Sequence, residues 1–193
     1  MKILNKEYQI YSINIPDFIQ EEISDFVDYS TDLKNHPYGY LKAHENAGYL
    51  AMDGIKHNSY QCSVPLQKVH DSFWLAWTIR EINKIWNNEG DSYCFRLRNQ
   101  SGHFGQCDLW TNFSYKGDDN PIHNHSGFVS GVIYYKNHGH PTIFPECDLE
   151  HKGENGTMVV FPSTTPHFVN NKKQKRKELL WLSTSIKFIN SDR

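Results

Sequence analysis

No stretch of this 193-residue sequence approaches the roughly 18 consecutive apolar residues that a membrane-spanning helix needs. Its start, Met1-Lys2-Ile3-Leu4-Asn5-Lys6-Glu7, carries charges where a secretory signal would be apolar, so a soluble, cytoplasmic protein is expected. Cysteine is scarce: Cys62, Cys94, Cys107 and Cys147 stand far apart with no C-x-x-C pair, which argues against a zinc knuckle or dithiol redox motif and predicts reduced, mostly buried thiols. Charge of one sign is lacking too. Twenty Lys and Arg against 22 Asp and Glu leave a net charge of -2, too little to draw the chain to nucleic acid or an acidic membrane. The one basic run, Lys172 to Lys177, reads as a solvated loop that could also meet an anion near the site described below. No internal repeat and no Pro- or Gly-rich linker divides the chain, and its length suits one core. A single domain over 1–193 is expected, with a mixed helical and strand part over 1–90 covering a β-rich part over 91–193.

The hydrophobic pattern fills in the elements. Tyr8 to Ile15 reads as a strand. Pro16-Asp17 then opens a helix that places Ile19, Ile23, Phe26 and Val27 on one face and ends near Tyr29. Residues 31 to 62 lack periodicity and suit a loop with one or two short strands, as a substrate-contacting segment would. A second helix is predicted from Pro65 to Asn88, with Leu75, Ile79, Ile82 and Trp86 in helical spacing and Phe73, Trp74 and Trp77 widening its apolar face. Beyond Gly90 come short runs rich in β-branched and aromatic residues: 93–98, 107–115, 127–136, 142–144, 157–161 and 179–189. Strands at that spacing, parted by turn clusters, predict a β-sandwich or jelly roll with the helices on one outer sheet face.

Most of the 11 His residues, His36, His57 and His103 among them, read as exposed or hydrogen-bonded side chains. His123-Asn124-His125 differs. In extended backbone residues i and i+2 point to one side, so both imidazoles can converge on one ion. A third ligand must come from elsewhere, and His167 stands at a predicted strand end in Phe161-Pro162-Ser163-Thr164-Thr165-Pro166-His167. Three such ligands leave coordination positions open for substrate or dioxygen, as a catalytic centre requires. Imidazole suits iron, zinc, copper and nickel, so the ligands alone do not choose the metal.

The residues around these His carry a wider resemblance. Trp110-Thr111-Asn112, Gly117, Asn120-Pro121-Ile122-His123-Asn124-His125 and Ser130-Gly131-Val132-Ile133-Tyr134-Tyr135 follow one another in order. They are joined by Gly156, Met158 to Val160, Phe161-Pro162-Ser163, His167 and Val169. Over residues 105 to 188 this resembles the core of a family of 2-oxoglutarate- and iron(II)-dependent oxygenases common in bacteria and phages. The resemblance implies a mainly β fold with flanking helices, a double-stranded β-helix of cupin-like jelly-roll type. It also implies a dioxygenase that hydroxylates a C–H bond of a substrate the sequence does not name, with Fe(II) as metal and 2-oxoglutarate as co-substrate.

By the same resemblance His123, His125 and His167 are the catalytic metal ligands. His125 stands where most relatives carry the carboxylate of a two-His-one-carboxylate set, and Asp118 or Asp119 remains an alternative third ligand. Arg176, Tyr134 and Asn112 are the implied co-substrate contacts. Aligning Ser183 and Ser185 with the family's last strand puts Trp181 where an Arg is expected, so Arg96 and Arg98 stay open as substitutes for Arg176. Partners are then the co-substrate and one further small molecule or side chain, without nucleic acid or membrane; a homodimer stays open. Specificity is expected in loops 31–62 and 99–106.

A rival reading shares the scaffold. Gly156, Pro162, His167 and Asn171 fit a cupin motif in which Thr164 replaces a Gly, giving a three-His metalloprotein that uses no 2-oxo acid. Against it, Val129 and Ser130 stand where the first cupin motif needs a Glu. An HNH nuclease is suggested only by the letters at 123 to 125, and those nucleases spread their residues across a ββα unit. A catalytically inert protein on the same scaffold is the remaining class.

Overall fold

The structure is a computed structural model that describes residues 1–31, 41–42, 60–63, 72–87, 106–114, 120–125, 127–135, 141–169 and 181–189. In chain order the elements are β1 (Lys2–Asn5), β2 (Ile10–Asn14), α1 (Asp17–Thr31), β3 (Leu41–Lys42), β4 (Tyr60–Ser63), α2 (Phe73–Asn87), β5 (Gln106–Ser114) and β6 (Asn120–His123). They continue with β7 (Val129–Tyr135), β8 (Thr142–Phe144), β9 (Leu149–His151), β10 (Thr157–Pro162), β11 (His167–Val169) and β12 (Trp181–Ile189). Eight strands form one sheet in the order β1-β2-β10-β7-β12-β5-β4-β3, and four form a second in the order β6-β11-β8-β9. From β5 onward the chain passes back and forth between the sheets, so β5, β7, β10 and β12 face β6, β8, β9 and β11. That winding is the double-stranded β-helix, and the mainly β fold with flanking helices is the one the sequence led us to expect.

Alternation along the central strands builds two cores from one sheet, because successive residues of a strand point to opposite faces. Val129 and Ile133 on β7, Met158 and Val160 on β10, and Tyr11 and Ile13 on β2 meet Ile19, Ile23, Trp74, Leu75, Ile82 and Trp86 of the helices. The opposite face sends Val132, Tyr134, Val159, Phe161 and Ile10 into the space between the sheets, where Phe144 of β8 joins them. Period-two patterning in the strands and helical spacing in α1 and α2 thus agree on which face each residue buries.

The two helices are tied to each other as well as to the sheet. Glu22 of α1 accepts hydrogen bonds from the first backbone N–H groups of α2, Phe73 at 3.0 Å and Trp74 at 2.6 Å. Those donors have no partner inside their own helix, and a carboxylate there also complements the helix dipole. In the first turn of α1, Gln20 meets Gly156, which has φ +76° and sits so close that an added Cβ would lie 2.7 Å from the Gln20 side chain. The Gly156 N–H donates to the Tyr134 carbonyl and its carbonyl accepts from Ile15, so it fixes the start of β10. No described helix is long and apolar enough to cross a membrane.

Several expectations need adjusting. The strand predicted from Tyr8 begins at Ile10, because Gln9 takes a left-handed turn at φ 52° that links β2 back to an unforeseen β1. Helix α2 is described from Phe73 rather than Pro65, and residues 64–71 lie outside the described residues. Phe73 does not widen the buried face: it is 77% exposed, since the first residue of α2 falls on the outward side of the helix. β6, which was not among the expected strands, includes Pro121; it is an edge strand, in which a proline's missing N–H is tolerated. The predicted strand 93–98 and the basic run 172–177 lie outside the described residues, as do most of the loops expected to set specificity.

Replacing Glu22 with Ala should lower the unfolding free energy by about 1 to 2 kcal/mol, as loss of a helix cap does. Glu22→Gln should lower it by less. Urea titration followed by circular dichroism measures both, and equal midpoints for the two variants and the parent would contradict the capping role.

Candidate metal centre

The site begins with one cross-strand pair. In the antiparallel pairing of β6 with β11, His123 and His167 are direct partners. Residues directly opposed in such a pair share a face. Their ring centroids lie 4.4 Å apart. His125 stands two residues beyond the end of β6, where its backbone N–H donates to the Ser163 carbonyl at 2.8 Å. Its ring thereby lies 4.9 Å from that of His123 and 5.2 Å from that of His167. One ligand nitrogen from each ring lies within 4.8 Å of the other two, and all three side chains are buried, at 9%, 7% and 5% exposure.

Two of the rings are held in the tautomer a metal needs. His123 Nδ1 lies 2.7 Å from the Pro121 carbonyl and His167 Nδ1 lies 3.0 Å from the Thr165 carbonyl. A carbonyl oxygen only accepts, so each Nδ1 carries the proton and each Nε2 keeps its lone pair. Both use the carbonyl two residues upstream, which orients the ring as partners behind a metal-bound imidazole do. Burial holds the His167 pKa well below its ordinary 6.5, His123 and His125 push it the same way, and the hydrogen bond to Thr165 opposes them. The ring is neutral at physiological pH, the form that ligates. A divalent first-row metal therefore fits these residues. Phe161 stands 4.7 Å from the His167 ring and Phe144 6.2 Å, giving the site an apolar wall.

Ser163 locks the pieces together, and it went unremarked in the sequence as a site residue. Fully buried, it receives His125 on its carbonyl, donates its N–H to the Phe128 carbonyl at 3.0 Å and shares a hydrogen bond with the Ser130 hydroxyl at 2.8 Å. It thus binds the segment before His167 to the one that carries His125. The available signal was Ser130, a polar residue on the inward side of an otherwise apolar strand.

The other expected site residues fall as follows. Tyr134 is buried between the sheets, with its hydroxyl 2.6 Å from Thr142 Oγ1 and its ring stacked on His151. Burial raises its pKa far above the ordinary 10.0, against the opposing Thr142 hydrogen bond, so the phenol stays protonated. Asn112 on β5 pairs in register with Ser183 on β12, which pairs in turn with Tyr134 on β7. The three therefore form one row across the sheet. Trp181, at the position aligned with the family's Arg, opens β12 opposite Ser114. Arg176, Arg96, Arg98, Asp118 and Asp119 lie outside the described residues.

No family model matches this sequence, and no curated protein sequence does. Solved structures do match. A prolyl-4-hydroxylase from Pseudomonas putida superposes with a TM-score of 0.62 at 12% identity, covering 95% of this chain and 94% of its own. The viral collagen prolyl hydroxylase of Paramecium Bursaria Chlorella virus-1, solved as a 2OG complex, gives 0.59 at 12% identity over 96% and 98%. An oxidoreductase of the 2OG-Fe(II) oxygenase family from Burkholderia pseudomallei gives 0.58 at 12% over 94% and 86%. At such identities the likeness establishes a shared fold: the chain has the architecture of 2OG-Fe(II) oxygenases and prolyl hydroxylases along about 95% of its length.

Two outcomes follow for the metal-free and metal-loaded protein. A buried neutral His167 contributes stability in full above 6.5; that contribution falls as the pH drops below this value, because only the unfolded chain takes up the proton. It is gone once the pH passes below the folded pKa. Melting temperatures of metal-free protein should therefore decline from about pH 7 to about pH 5, and His167→Gln should flatten the slope. Loss of outer hydrogen-bond partners alone weakens metal binding by roughly 10- to 100-fold, so His125→Ala should weaken manganese(II) binding at least about a hundredfold. His125→Asp should recover most of it, and equal affinities for parent and Ala variant would remove His125 from the site.

Proposed function

We propose that this protein is a non-haem iron(II)- and 2-oxoglutarate-dependent oxygenase that hydroxylates a C–H bond. One observation carries the reading. At the seam of a double-stranded β-helix, three buried imidazoles from two distant stretches converge, two of them with Nδ1 tied to a carbonyl. The shared architecture with the prolyl hydroxylases supports it.

His123, His125 and His167 are the groups that would hold the metal. Iron(II), when bound, supplies the centre at which dioxygen is activated while the 2-oxo acid is decarboxylated to succinate. Three neutral imidazoles leave the ion's double charge uncompensated by protein, and a doubly anionic co-substrate offsets it. We assign Tyr134, whose protonated phenol can donate, and Asn112 to the far carboxylate of 2-oxoglutarate. Arg176, on the segment that leads into β12, is the cation we assign to the same carboxylate. Phe144 and Phe161 exclude water from the imidazole side, which strengthens every polar contact made there. Because β1 and β2 extend the same sheet as β10 and β7, we take residues 1–193 as one domain.

The all-imidazole set also favours a second reading, a three-His metalloprotein that binds no 2-oxo acid. Calorimetry separates the two. On the first, 2-oxoglutarate binds the manganese(II)-loaded protein and not the metal-free protein, and oxygen-started reactions of the iron(II) form yield succinate. Failure of 2-oxoglutarate to bind the loaded protein would sink the oxygenase reading and leave the second.

A further inference from the structure

Tyr134 reaches from β7 into the layer between the sheets, and two residues of the opposite sheet hold it there. Thr142 on β8 and His151 on β9 are direct partners in an antiparallel pair, so their side chains share a face. Thr142 Oγ1 lies 2.6 Å from the Tyr134 hydroxyl, and the His151 ring stacks on the Tyr134 ring with 5.2 Å between centroids and 27° between planes. One partner thus fixes the end of the phenol and the other its face. His151 is itself held through both nitrogens. Its Nδ1 accepts from the Gly153 backbone N–H at 3.1 Å, which leaves the proton of the neutral ring on Nε2, 3.4 Å from Ser12 Oγ on β2. That tautomer is opposite to the one seen in His123 and His167. The ring is also within reach of protons from solvent, being half-buried on the border of a cleft of about 610 Å³. Lys2 and the Met1 amino group line this cleft from the β1 side, Glu150 and Lys152 flank His151 in the chain, and Glu154 stands on the turn that leads to β10.

We propose that His151 is a positioning residue for Tyr134: as a neutral ring it clamps the phenol together with Thr142, keeping the hydroxyl on the far carboxylate of 2-oxoglutarate, and on protonation it lets the phenol go. The inference rests on the oxygenase reading above and on the assignment of Tyr134 to that carboxylate. The phenol has one proton, so when it donates to the carboxylate Thr142 donates to the phenol oxygen. Protonating His151 places a hydrogen on Nδ1, where the Gly153 N–H already points, and two donors cannot share that position. The imidazolium turns away, and turning takes its face off Tyr134. A cation is attracted to a phenol face, which by itself would favour protonation. The pKa nevertheless lies below 6.5, lowered chiefly by burial and further by Lys2, against the opposing pull of Glu154. The clamp is therefore closed at neutral pH and opens as the pH falls through the His151 pKa. Co-substrate affinity follows the same sign, complete above that pKa and falling below it by up to about tenfold per pH unit.

The test has two arms, both on the full chain. In the first, NMR follows isotope labels in the tyrosine Cζ and the histidine ring nitrogens through one pH titration without ligand, with Tyr134→Phe and His151→Phe to assign the signals. The Tyr134 Cζ signal should move with the midpoint of the His151 ring, and in His151→Phe it should stay still over that range. In the second, 2-oxoglutarate is titrated calorimetrically into the manganese(II)-loaded protein. At about pH 7.5 His151→Ala should bind it about tenfold more weakly, as loss of a charge-assisted contact does, and His151→Phe, which restores an aromatic face, should recover most of that loss. Below pH 6.5 the parent's affinity should fall more steeply than that of His151→Phe. Titration of the three metal-binding imidazoles is common to both proteins and cancels in their ratio. A Tyr134 signal indifferent to the His151 titration, or parallel pH profiles for parent and His151→Phe, would overturn the proposal. Absence of 2-oxoglutarate binding by the parent at neutral pH would remove the oxygenase reading and the co-substrate role with it, and the NMR titration would then decide the clamp alone. If His151→Ala does not fold, the parent and His151→Phe decide.

Discussion

The pairing of His123 with His167 across β6 and β11 is the constraint on which the site depends. A strand's side chains alternate between faces, so a slip of one residue in that short ladder would send one ring to each side of the sheet. The register is held from both flanks. On one, His125 and Phe128 are fastened to Ser163; on the other, Phe168 and Val169 pair with Ile143 and Thr142 of β8. The donor geometry is thus set by backbone hydrogen bonds of the scaffold. Preorganisation of this sort is what an ion with vacant positions needs if it is to keep them vacant.

The large sheet serves two layers at once. Its outer face accepts α1 and α2, whose Trp74, Ile19 and Ile23 are almost wholly buried, and its inner face buries Val132, Val159 and Phe161, the last beside His167. Because the same backbone supports both, packing of the helices is mechanically joined to the layer between the sheets. Ser24 on α1 and Tyr135 on β7 meet in a hydrogen bond across that boundary. Tyr134, the next residue, points the other way into the interior.

Much of this was legible from residue order, and the parts that were not share a physical cause. The long strands β5, β7, β10 and β12 and the helices announce themselves through runs of apolar residues at a regular period. Three of the short strands do not: β6 contains Pro121, β9 is Leu-Glu-His, and β11 holds three residues, each too brief to show a period. The three imidazoles could be nominated from H-x-H and a strand-end His, because metal chemistry leaves a sequence pattern. Ser163 was legible only as a motif residue, since what its carbonyl, N–H and hydroxyl do depends on partners far from it in the chain. Phe73 shows the reverse error: hydrophobicity suggested burial, and the first turn of α2 directed it outward.

The outer margin of the large sheet has a bearing on how copies of the chain meet. β1 is four residues long, carries Lys2, and breaks its register with β2 between Ile3 and Asn5. A short, charged, irregular border offers a poor template for another strand to add to. Growth of the sheet from one molecule into the next is therefore discouraged at that border.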